Sequence, residues 1–407
     1  MHRDTLHRVS MRIAIVTESF LPDLNGVAHS VVRVAEHLVA RGHEPLVIAP
    51  EPRPGARAGT GSLPYPVVRV PSVPVLWYTQ FRLGLPSKRI AAAMRAHGTD
   101  LVHLASPLAL GAHGVSVAGA LGLPSVAVYQ TDVPAYFRAY RAGATQTMAW
   151  RWLRRIHNGA DRTLAPSTSA AATLHARGIE RVWLWGRGVD SVRFHPSHRS
   201  AALRRALAPN GEVLVGYVGR LAVEKQVDTL ARTSRIPGVK VVIVGDGPVQ
   251  AGLRRAMPDA IFLGARRGSQ LARIYASLDV FAHTGPYETF GQTVQEALAS
   301  GLPVVAPASG GPLDLVEPGR TGYLVPPGDG AAFEEAVGEL ARNRDLRTAY
   351  GRAARAAVEG RTWAAIGDEL IGHYTAVRSG TPTATPAATE RAGADLSTPT
   401  APPARRP

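Results

Sequence analysis

Short apolar runs alternate with amphipathic stretches along the first half of the chain. Residues 12–17 form an apolar run, and apolar positions at helical spacing follow over residues 27–39. A second apolar run at 46–50 completes a strand, helix, strand unit, and further strand-like runs stand at 101–104 and 125–129. Because this alternation is regular, the first half is predicted to hold a mostly parallel sheet.

Residues 185–196 contain glycines and a proline that are typical of an interdomain hinge, and the same alternation begins again after them. Apolar runs then alternate with helix-like segments, and these runs are residues 213–218, 240–244, 261–263, 279–282 and 303–306. The pattern predicts a second parallel sheet, so the predicted fold class is α/β with two similar domains.

The predicted domain boundaries follow from the two rhythms. The chain has 407 residues, and a domain commonly has roughly 100 to 200. We predict an N-terminal domain over residues 11–190 and a C-terminal domain over 191–362. A last helix over 363–378 is expected to pack back toward the N-terminal domain. Residues 379–407, rich in Thr, Ala and Pro, are expected to be disordered.

Composition narrows the class of protein. The absence of cysteine excludes disulfides and thiolate metal sites. No apolar run reaches the ~18 residues of a spanning helix, and the polar first ten residues are no secretory signal, with Met1 or Met11 as the start. We therefore expect a cytoplasmic protein, and peripheral binding to the inner face of the plasma membrane is the hypothesis raised by its charge.

That charge is unevenly distributed. The formal net charge is +15, and residues 52–160 hold twelve Lys and Arg against two acids, Asp100 and Asp132. The excess is either an ordinary solvated surface or a contact with an anionic lipid or nucleic acid. No zinc-ligand spacing, helix-turn-helix pattern or aromatic-rich nucleic-acid motif accompanies it, so nucleic acid is not expected and lipid is preferred.

One predicted helix in the basic region can be interpreted either as a lipid-binding surface or as ordinary structure. Arg151, Arg154 and Arg155 lie beside Trp150 and Trp152. As an amphipathic surface helix this segment would lie on anionic lipid. Alternatively the tryptophans are anchors in the core, which is the slightly preferred interpretation.

The most informative stretch lies between residues 283 and 301. Glu288 and Glu296 stand eight residues apart after the apolar run at 279–282, and Gly291 lies between them. A strand that runs through a glycine turn into a helix leaves free backbone N–H groups at the positive end of the helix dipole, where an anion binds. The two carboxylates, roughly 12 Å apart along such a segment, are too distant to share a proton but can hold two ends of one ligand.

Two cations follow another predicted strand. Arg220 and Lys225 come directly after residues 213–218 and a glycine. A loop at the end of a strand would direct both side chains over the edge of the sheet, and two fixed positive charges suit a diphosphate better than one.

These blocks together resemble the retaining glycosyltransferases of family 4. Glu288 and Glu296 match the E-x7-E motif of that family, and the likeness spans residues 11–377. Its other blocks are matched by Gly219-Arg220-Leu221 with Glu224-Lys225, by Gly245-Asp246-Gly247-Pro248 and by residues 299–304. Within the family, residues 18–20, 25–27, 129–132, 185–190 and 283–285 look like those of bacterial GDP-mannose-dependent alpha-mannosyltransferases that glycosylate lipids.

The resemblance implies the GT-B fold, in which two Rossmann-like domains face each other across a cleft. It implies transfer of a hexose, most simply mannose from GDP-mannose, to a hydroxyl of a lipid or glycolipid with retention at the anomeric carbon. Glu288, Arg220 and Lys225 are the residues it marks as catalytic. The residues it marks for donor binding are Gly26, Gln130, Arg220, Lys225, Glu288, Phe290, Gly291, Gln292, Thr293 and Glu296.

Within this set the resemblance assigns separate ends of the donor. Glu288 would bind the hexose and Glu296 the ribose, while Arg220 and Lys225 would neutralise the diphosphate. No Asp-x-Asp pair occurs, so neither a metal nor another cofactor is expected. Gln130 stands where many relatives have His; it cannot exchange a proton, so a hydrogen bond to the sugar is its expected role. The mechanistic hypothesis is front-face attack, with the leaving phosphate oxygen taking the acceptor proton.

Other functions remain open from the sequence. One is a UDP-sugar-dependent glycosyltransferase of the same fold with a soluble acceptor, and another is a non-hydrolysing sugar-nucleotide epimerase. The third is a non-catalytic protein that binds a nucleotide sugar or a lipid surface. The presence of Arg220, Lys225, Glu288 and Glu296 disfavours the last.

Overall fold

The computed structural model describes residues 10–22, 25–53, 55, 62–74, 82–105, 108–130 and 143–380. Thr131 and Asp132 of the family-like segment lie outside this part. So does the predicted tail, apart from residues 379 and 380. Among the described residues, no helix combines the length and apolar character needed to cross a bilayer.

The N-terminal half forms a parallel sheet of seven strands. They are β1 Arg12–Val16, β2 Glu44–Pro50, β3 Val67–Val70, β6 Leu101–Leu104, β7 Ser125–Val128, β8 Arg162–Ala165 and β9 Val182–Leu184. A separate antiparallel hairpin, β4 Ser72–Pro74 and β5 Arg82–Gly84, was not predicted. The sheet order is β3-β2-β1-β6-β7-β8-β9.

Helices cover both faces of this sheet. They are α1 Gly26–Ala40, α2 Lys88–His97, α3 Ala109–Ala120, α4 Gly143–Gly159 and α5 Thr168–Ala176. Because successive strand residues point to opposite faces, Ile13 and Ile15 pack with Val31 of α1, while Val16 packs with Ile90 of α2 on the other face. This double burial explains why the strands appear as continuous apolar runs.

The C-terminal half repeats the design with six parallel strands. They are β10 Val213–Val218, β11 Val239–Val244, β12 Ile261–Gly264, β13 Val280–Ala282, β14 Val304–Pro307 and β15 Gly322–Val325, in the order β12-β11-β10-β13-β14-β15. The helices are α6 Ala201–Leu207, α7 Leu230–Thr233, α8 Gln250–Ala256, α9 Gly268–Ser277, α10 Gln292–Ala299, α11 Pro312–Leu315, α12 Gly330–Arg342 and α13 Arg344–Val358. The predicted α/β class with two Rossmann-like domains is confirmed.

The last helix, α14 Trp363–Arg378, packs on the N-terminal sheet. Leu370 and Tyr374 are fully buried there. The Tyr374 hydroxyl lies 2.7 Å from Nδ1 of His103, and Trp185 Nε1 donates to the carbonyl oxygen of Ile366 at 2.9 Å. Burial lowers the pKa of His103 to about 3, so its imidazole is neutral at physiological pH.

Candidate active site

The strand order of each sheet reverses beside its first strand. In such sheets, ligands bind at the carboxyl ends of the strands where the order reverses. In the C-terminal sheet this point lies between β10 and β13. Arg220 and Lys225 follow β10, and the stretch that carries Glu288 follows β13, so the fold brings the two predicted cations and the first predicted carboxylate to one edge.

Glu288 and Lys225 form an ion pair there through Oε1 and Nζ. Burial alone raises the pKa of Glu288, but the positive charges of Lys225 and Arg187, the hydrogen bond from Lys225 and the electrostatic effect of His283 outweigh it, so its pKa lies below its ordinary value. The Lys225 carbonyl oxygen accepts from Thr284 Oγ1 at 2.6 Å, which ties the two strand-end loops together. Glu288 is therefore held as a carboxylate. The Arg220 side chain is exposed at the end of β10.

The turn between the two carboxylates is built closely against a neighbouring loop. Gly291 has φ 93°, a left-handed conformation that favours glycine, and it immediately precedes α10. The Gly311 N–H donates to the Glu288 carbonyl oxygen at 2.8 Å, and a Cβ at Gly311 would lie 1.9 Å from the Phe290 carbonyl oxygen. Only glycine permits this approach, which fixes the backbone of the predicted phosphate-binding turn.

The remaining predicted residues of this turn face inward or hold neighbouring segments. Phe290 is buried. Gln292 Nε2 donates to the Gly188 carbonyl oxygen at 3.2 Å, and the Thr293 carbonyl oxygen accepts from the Tyr275 hydroxyl at 3.2 Å. The Gln292 side chain and the Thr293 carbonyl oxygen are therefore used in the fold, and the N-terminus of α10 is what this turn offers a ligand.

Glu296, one turn further along α10, lies in different surroundings. Burial raises its pKa to about 7, and the Tyr275 hydroxyl, Arg193 and Gln292 oppose this only in part. Glu296 is the residue that the resemblance assigns to the ribose. Its protonation state changes near neutral pH.

The N-terminal domain contributes Gly26 and Gln130, as predicted, and Arg187, which sequence reasoning missed. Arg187 Nη2 donates to Gln130 Oε1 at 3.1 Å. The Gln130 carbonyl oxygen accepts from Thr289 Oγ1 at 3.2 Å, which links the two domains beside Glu288. The sequence signal for Arg187 is a cation between two glycines at residues 186–188, in a segment interpreted as a hinge and as part of the resemblance to the mannosyltransferases, without a role for Arg187 itself.

The turn at Gly26, which is predicted for donor binding, has part of its helix N-terminus already capped. The Asn25 side chain accepts from the backbone N–H groups of Val27 and Ala28, both at 3.0 Å. These two donors at the start of α1 are thus already used. The Gly26 N–H makes no hydrogen bond to another described residue and is the donor left for a ligand.

A cavity of about 200 Å³ opens beside Glu288, between α5 and the loops of the C-terminal domain. Its walls carry the side chains of Tyr129, Ser169, Thr173 and Ser309. At its edge Asp314 of α11 accepts hydrogen bonds from the backbone N–H of Thr168 at 2.6 Å and from the Thr168 hydroxyl. A polar enclosure of this kind suits a ligand rich in hydroxyl groups. Among the described residues, no cluster of three His, Asp or Glu side chains is arranged to hold a metal.

Two Rossmann-like domains with a cation and carboxylate site at their facing strand ends define a glycosyltransferase of the GT-B class. The Glycosyltransferase Family 4 model matches residues 24–193, and the Glycosyl transferases group 1 model matches residues 199–357. The chain belongs to glycosyltransferase family 4.

Similar proteins agree with this assignment. A GDP-mannose-dependent alpha-mannosyltransferase of Mycobacterium tuberculosis is 52% identical over 373 residues, which cover 90% of this chain and 97% of that protein. One of the same name from Corynebacterium glutamicum is 44% identical over 90% of this chain and 89% of its own. The crystal structure of Anabaena HepE in complex with UDP has a TM-score of 0.73 at 22% identity, covering 90% of this chain and all of that one.

Proposed function

We propose that the chain is a retaining α-mannosyltransferase that transfers mannose from GDP-mannose to a hydroxyl of a lipid or glycolipid. The observation that carries this proposal is the Glu288–Lys225 pair at the strand-order reversal of the C-terminal sheet. The choice of donor is supported by the names of the relatives that are 44% and 52% identical.

The donor would lie along the turn from Glu288 to Glu296. Glu288, held ionised, accepts hydrogen bonds from hydroxyls of the hexose. The diphosphate lies against the N-terminus of α10, with Lys225 and Arg220 as its cations. Glu296 binds the ribose.

In the reaction, the bond between the anomeric carbon and the phosphate oxygen breaks while the acceptor oxygen attacks on the same face. The leaving phosphate oxygen takes the acceptor proton, so no enzymatic nucleophile is required. The negative charge that develops on the diphosphate is stabilised by Lys225 and Arg220. These two cations supply the positive charge in the proposed step, which includes no metal or other cofactor.

The acceptor is proposed to be a membrane lipid because of helix α4. Within this helix Trp150 is buried, whereas Trp152 and Met148 are 46% and 69% exposed. Arg151 and Arg155 are exposed beside them. Exposed Trp and Met side chains among arginines suit the headgroup layer of an anionic bilayer, so we propose peripheral attachment to the inner face of the plasma membrane.

Donor and stereochemistry are tested with the purified protein and a bacterial lipid extract. GDP-mannose, UDP-glucose and UDP-N-acetylglucosamine are supplied separately, and products are analysed by mass spectrometry and NMR. A mannolipid with the α anomer is expected from GDP-mannose. Transfer from a UDP-sugar would overturn the donor assignment, and a β anomer would overturn retention. A reaction abolished by EDTA would contradict the proposed metal-free step.

Membrane attachment is tested by co-sedimentation with vesicles of phosphatidylglycerol and phosphatidylcholine. Binding is expected to weaken as salt rises, because surface charges are screened. Trp152→Ala should reduce it severalfold, whereas Val192→Ser, at a position 82% exposed outside α4, should not. Equal binding by both variants and wild type would contradict the role of this helix.

A further inference from the structure

Arg187 belongs to the segment between the two domains, but its backbone is held by α10. Gln295 Nε2 donates to the Arg187 carbonyl oxygen at 3.0 Å, and Gln292 Nε2 donates to that of Gly188 at 3.2 Å. Gln295 is fully buried, so this anchor is part of the packed interior. The position of Arg187 is therefore set by the helix that carries Glu296.

The Arg187 side chain reaches the N-terminal domain from this anchor. Its Nη2 lies 3.1 Å from Gln130 Oε1, and its Nη1 would lie 3.5 Å from a Cβ at Gly26. Glycine at residue 26 leaves room for the guanidinium beside α1. The contacts form one chain from α10 through Arg187 to Gln130, and from the Gln130 carbonyl oxygen to Thr289, the neighbour of Glu288.

This contact decides which end of the Gln130 amide faces the cleft. A guanidinium has only donors, so it selects the amide oxygen and turns Nε2 away from itself. Gln130 Nε2 makes no hydrogen bond to another described residue. Gln130 consequently presents N–H donors, and no acceptor, to a ligand at this position.

We infer that Arg187 is a positioning residue: it fixes Gln130 as a hydrogen-bond donor to a hydroxyl oxygen of the transferred hexose. The inference rests on the proposed function for the presence of a nucleotide sugar, but it does not depend on which base or sugar that donor carries. Since α10 holds Arg187, the donor-binding helix and the orientation of Gln130 are coupled.

The test is a double-mutant cycle with Arg187→Met and Gln130→Leu, measured as kcat with the nucleotide sugar that the wild type uses best. Each single variant should lose roughly 10-fold, the effect of about one hydrogen bond. The cycle is measured at pH 8, where Glu288 stays ionised when the Arg187 charge is lost, because Lys225 still lowers its pKa. The double variant should then lose no more than the worse single one, because both changes remove the same interaction. Additive losses would overturn the inference.

A second variant separates positioning from folding. Gln130→Glu keeps an acceptor for Arg187 but removes the N–H donor, so it should lose as much kcat as Gln130→Leu while the melting temperature stays near that of the wild type. Full activity of Gln130→Glu would show that no donor is needed there. Arg205→Met, at an exposed position remote from the cleft, is the matched control and should retain wild-type kcat.

Binding of the free nucleoside diphosphate tests whether Arg187 contacts the diphosphate itself. The affinity for GDP should change less than twofold in Arg187→Met. A loss of GDP affinity as large as the loss of kcat would mean that Arg187 binds the diphosphate itself, which overturns the positioning role.

If the wild type prefers a UDP-sugar, the donor proposal fails. The double-mutant cycle, measured with that UDP-sugar and with UDP, still decides the role of Arg187. If the wild type turns over no donor, equal affinities of wild type and Gln130→Leu for GDP-mannose overturn the inference.

Discussion

The two ends of the proposed donor site use the same kind of side chain in opposite electrostatic surroundings. At Glu288, burial is outweighed by Lys225, His283 and Arg187, so the pKa is lowered. At Glu296, burial dominates and raises the pKa to about 7. The two permanent cations near Glu288, Lys225 and Arg187, come from other segments of the chain, whereas Glu296 lies on α10 beside the Tyr275 hydroxyl. Glu288, at the proposed hexose end, therefore carries a fixed charge, and Glu296, at the proposed ribose end, carries a charge that depends on pH.

The largest effect is expected from Glu288→Gln, which removes the fixed charge. We expect kcat to fall about 100-fold, the cost of misplacing a reacting group. Glu317→Gln, an exposed carboxylate paired with Arg320, is the control and should be neutral. Initial rates with saturating donor measure the effect. Wild-type activity in Glu288→Gln would remove Glu288 from the hexose site.

Lys225→Met tests where the fixed charge comes from. The affinity for GDP should fall roughly 10- to 100-fold, because a hydrogen bond to a charged group contributes about 1.5–3 kcal/mol. Since Lys225 lowers the pKa of Glu288, its loss should raise that pKa and move the acid limb of kcat to higher pH. Calorimetry with GDP and a pH profile give the two readouts. An unmoved acid limb would contradict the coupling.

At the ribose end, Glu296→Gln should act mainly on KM. The carboxylate form accepts from two hydroxyls, and with a pKa near 7 it dominates at pH 8 but not at pH 6. We expect KM for the donor to fall as pH rises in the wild type, and to be about 3- to 10-fold higher in Glu296→Gln at pH 8 only. If KM still depends on pH in Glu296→Gln, the pH dependence comes from a group other than Glu296.

The raised pKa of Glu296 also makes the stability of the folded protein depend on pH. The folded protein holds the Glu296 proton more tightly than the unfolded chain, whose value is 4.5. Stability contributed by this group is therefore complete below about pH 4.5 and decreases as pH rises to about 7. In Glu296→Gln, thermal unfolding should show a smaller decrease over this range. An unchanged decrease would mean that Glu296 titrates normally.

The smallest effect is expected outside the two ends, at Asp314. Asp314→Asn weakens the bond from the Thr168 backbone, which joins the domains at the edge of the cavity. We expect KM for the acceptor to rise about 2- to 3-fold with kcat unchanged. Steady-state kinetics at fixed donor measure this. A fall in kcat without a change in KM would indicate a role in the chemical step instead.

Much of this arrangement could be predicted from local sequence. The apolar rhythm predicts both sheets because each strand is buried on two faces. The interpretation of both tryptophans as core anchors is right for Trp150 and wrong for Trp152. Residues two apart on a helix point roughly 200° apart, so the two side chains cannot share one environment. The hairpin of β4 and β5 could not be predicted, because two strands of three residues leave no periodic signal.

Long-range partners could not be predicted at all. Glu18 is buried, and it accepts from the backbone N–H groups of Gly84, Leu110 and Gly111, which lie 66, 92 and 93 residues away. Burial raises its pKa to about 7 despite these bonds. The proposed role of Arg187 likewise depends on its hydrogen bond to Gln130, which is 57 residues away in the sequence. Sequence spacing contains no record of such contacts.

Helix α14 has a consequence for biosynthesis. Tyr374 and Leu370 complete the core of the N-terminal domain, yet they are among the last described residues of the chain. Domains generally fold in the order in which the ribosome releases them. Here the interior of the domain that is made first is filled only after α14 has been made. A nascent chain stalled before residue 363 would therefore expose to chaperones the apolar side chains of α1 and of the sheet that α14 covers, and misfolding of this enzyme should be concentrated at that length.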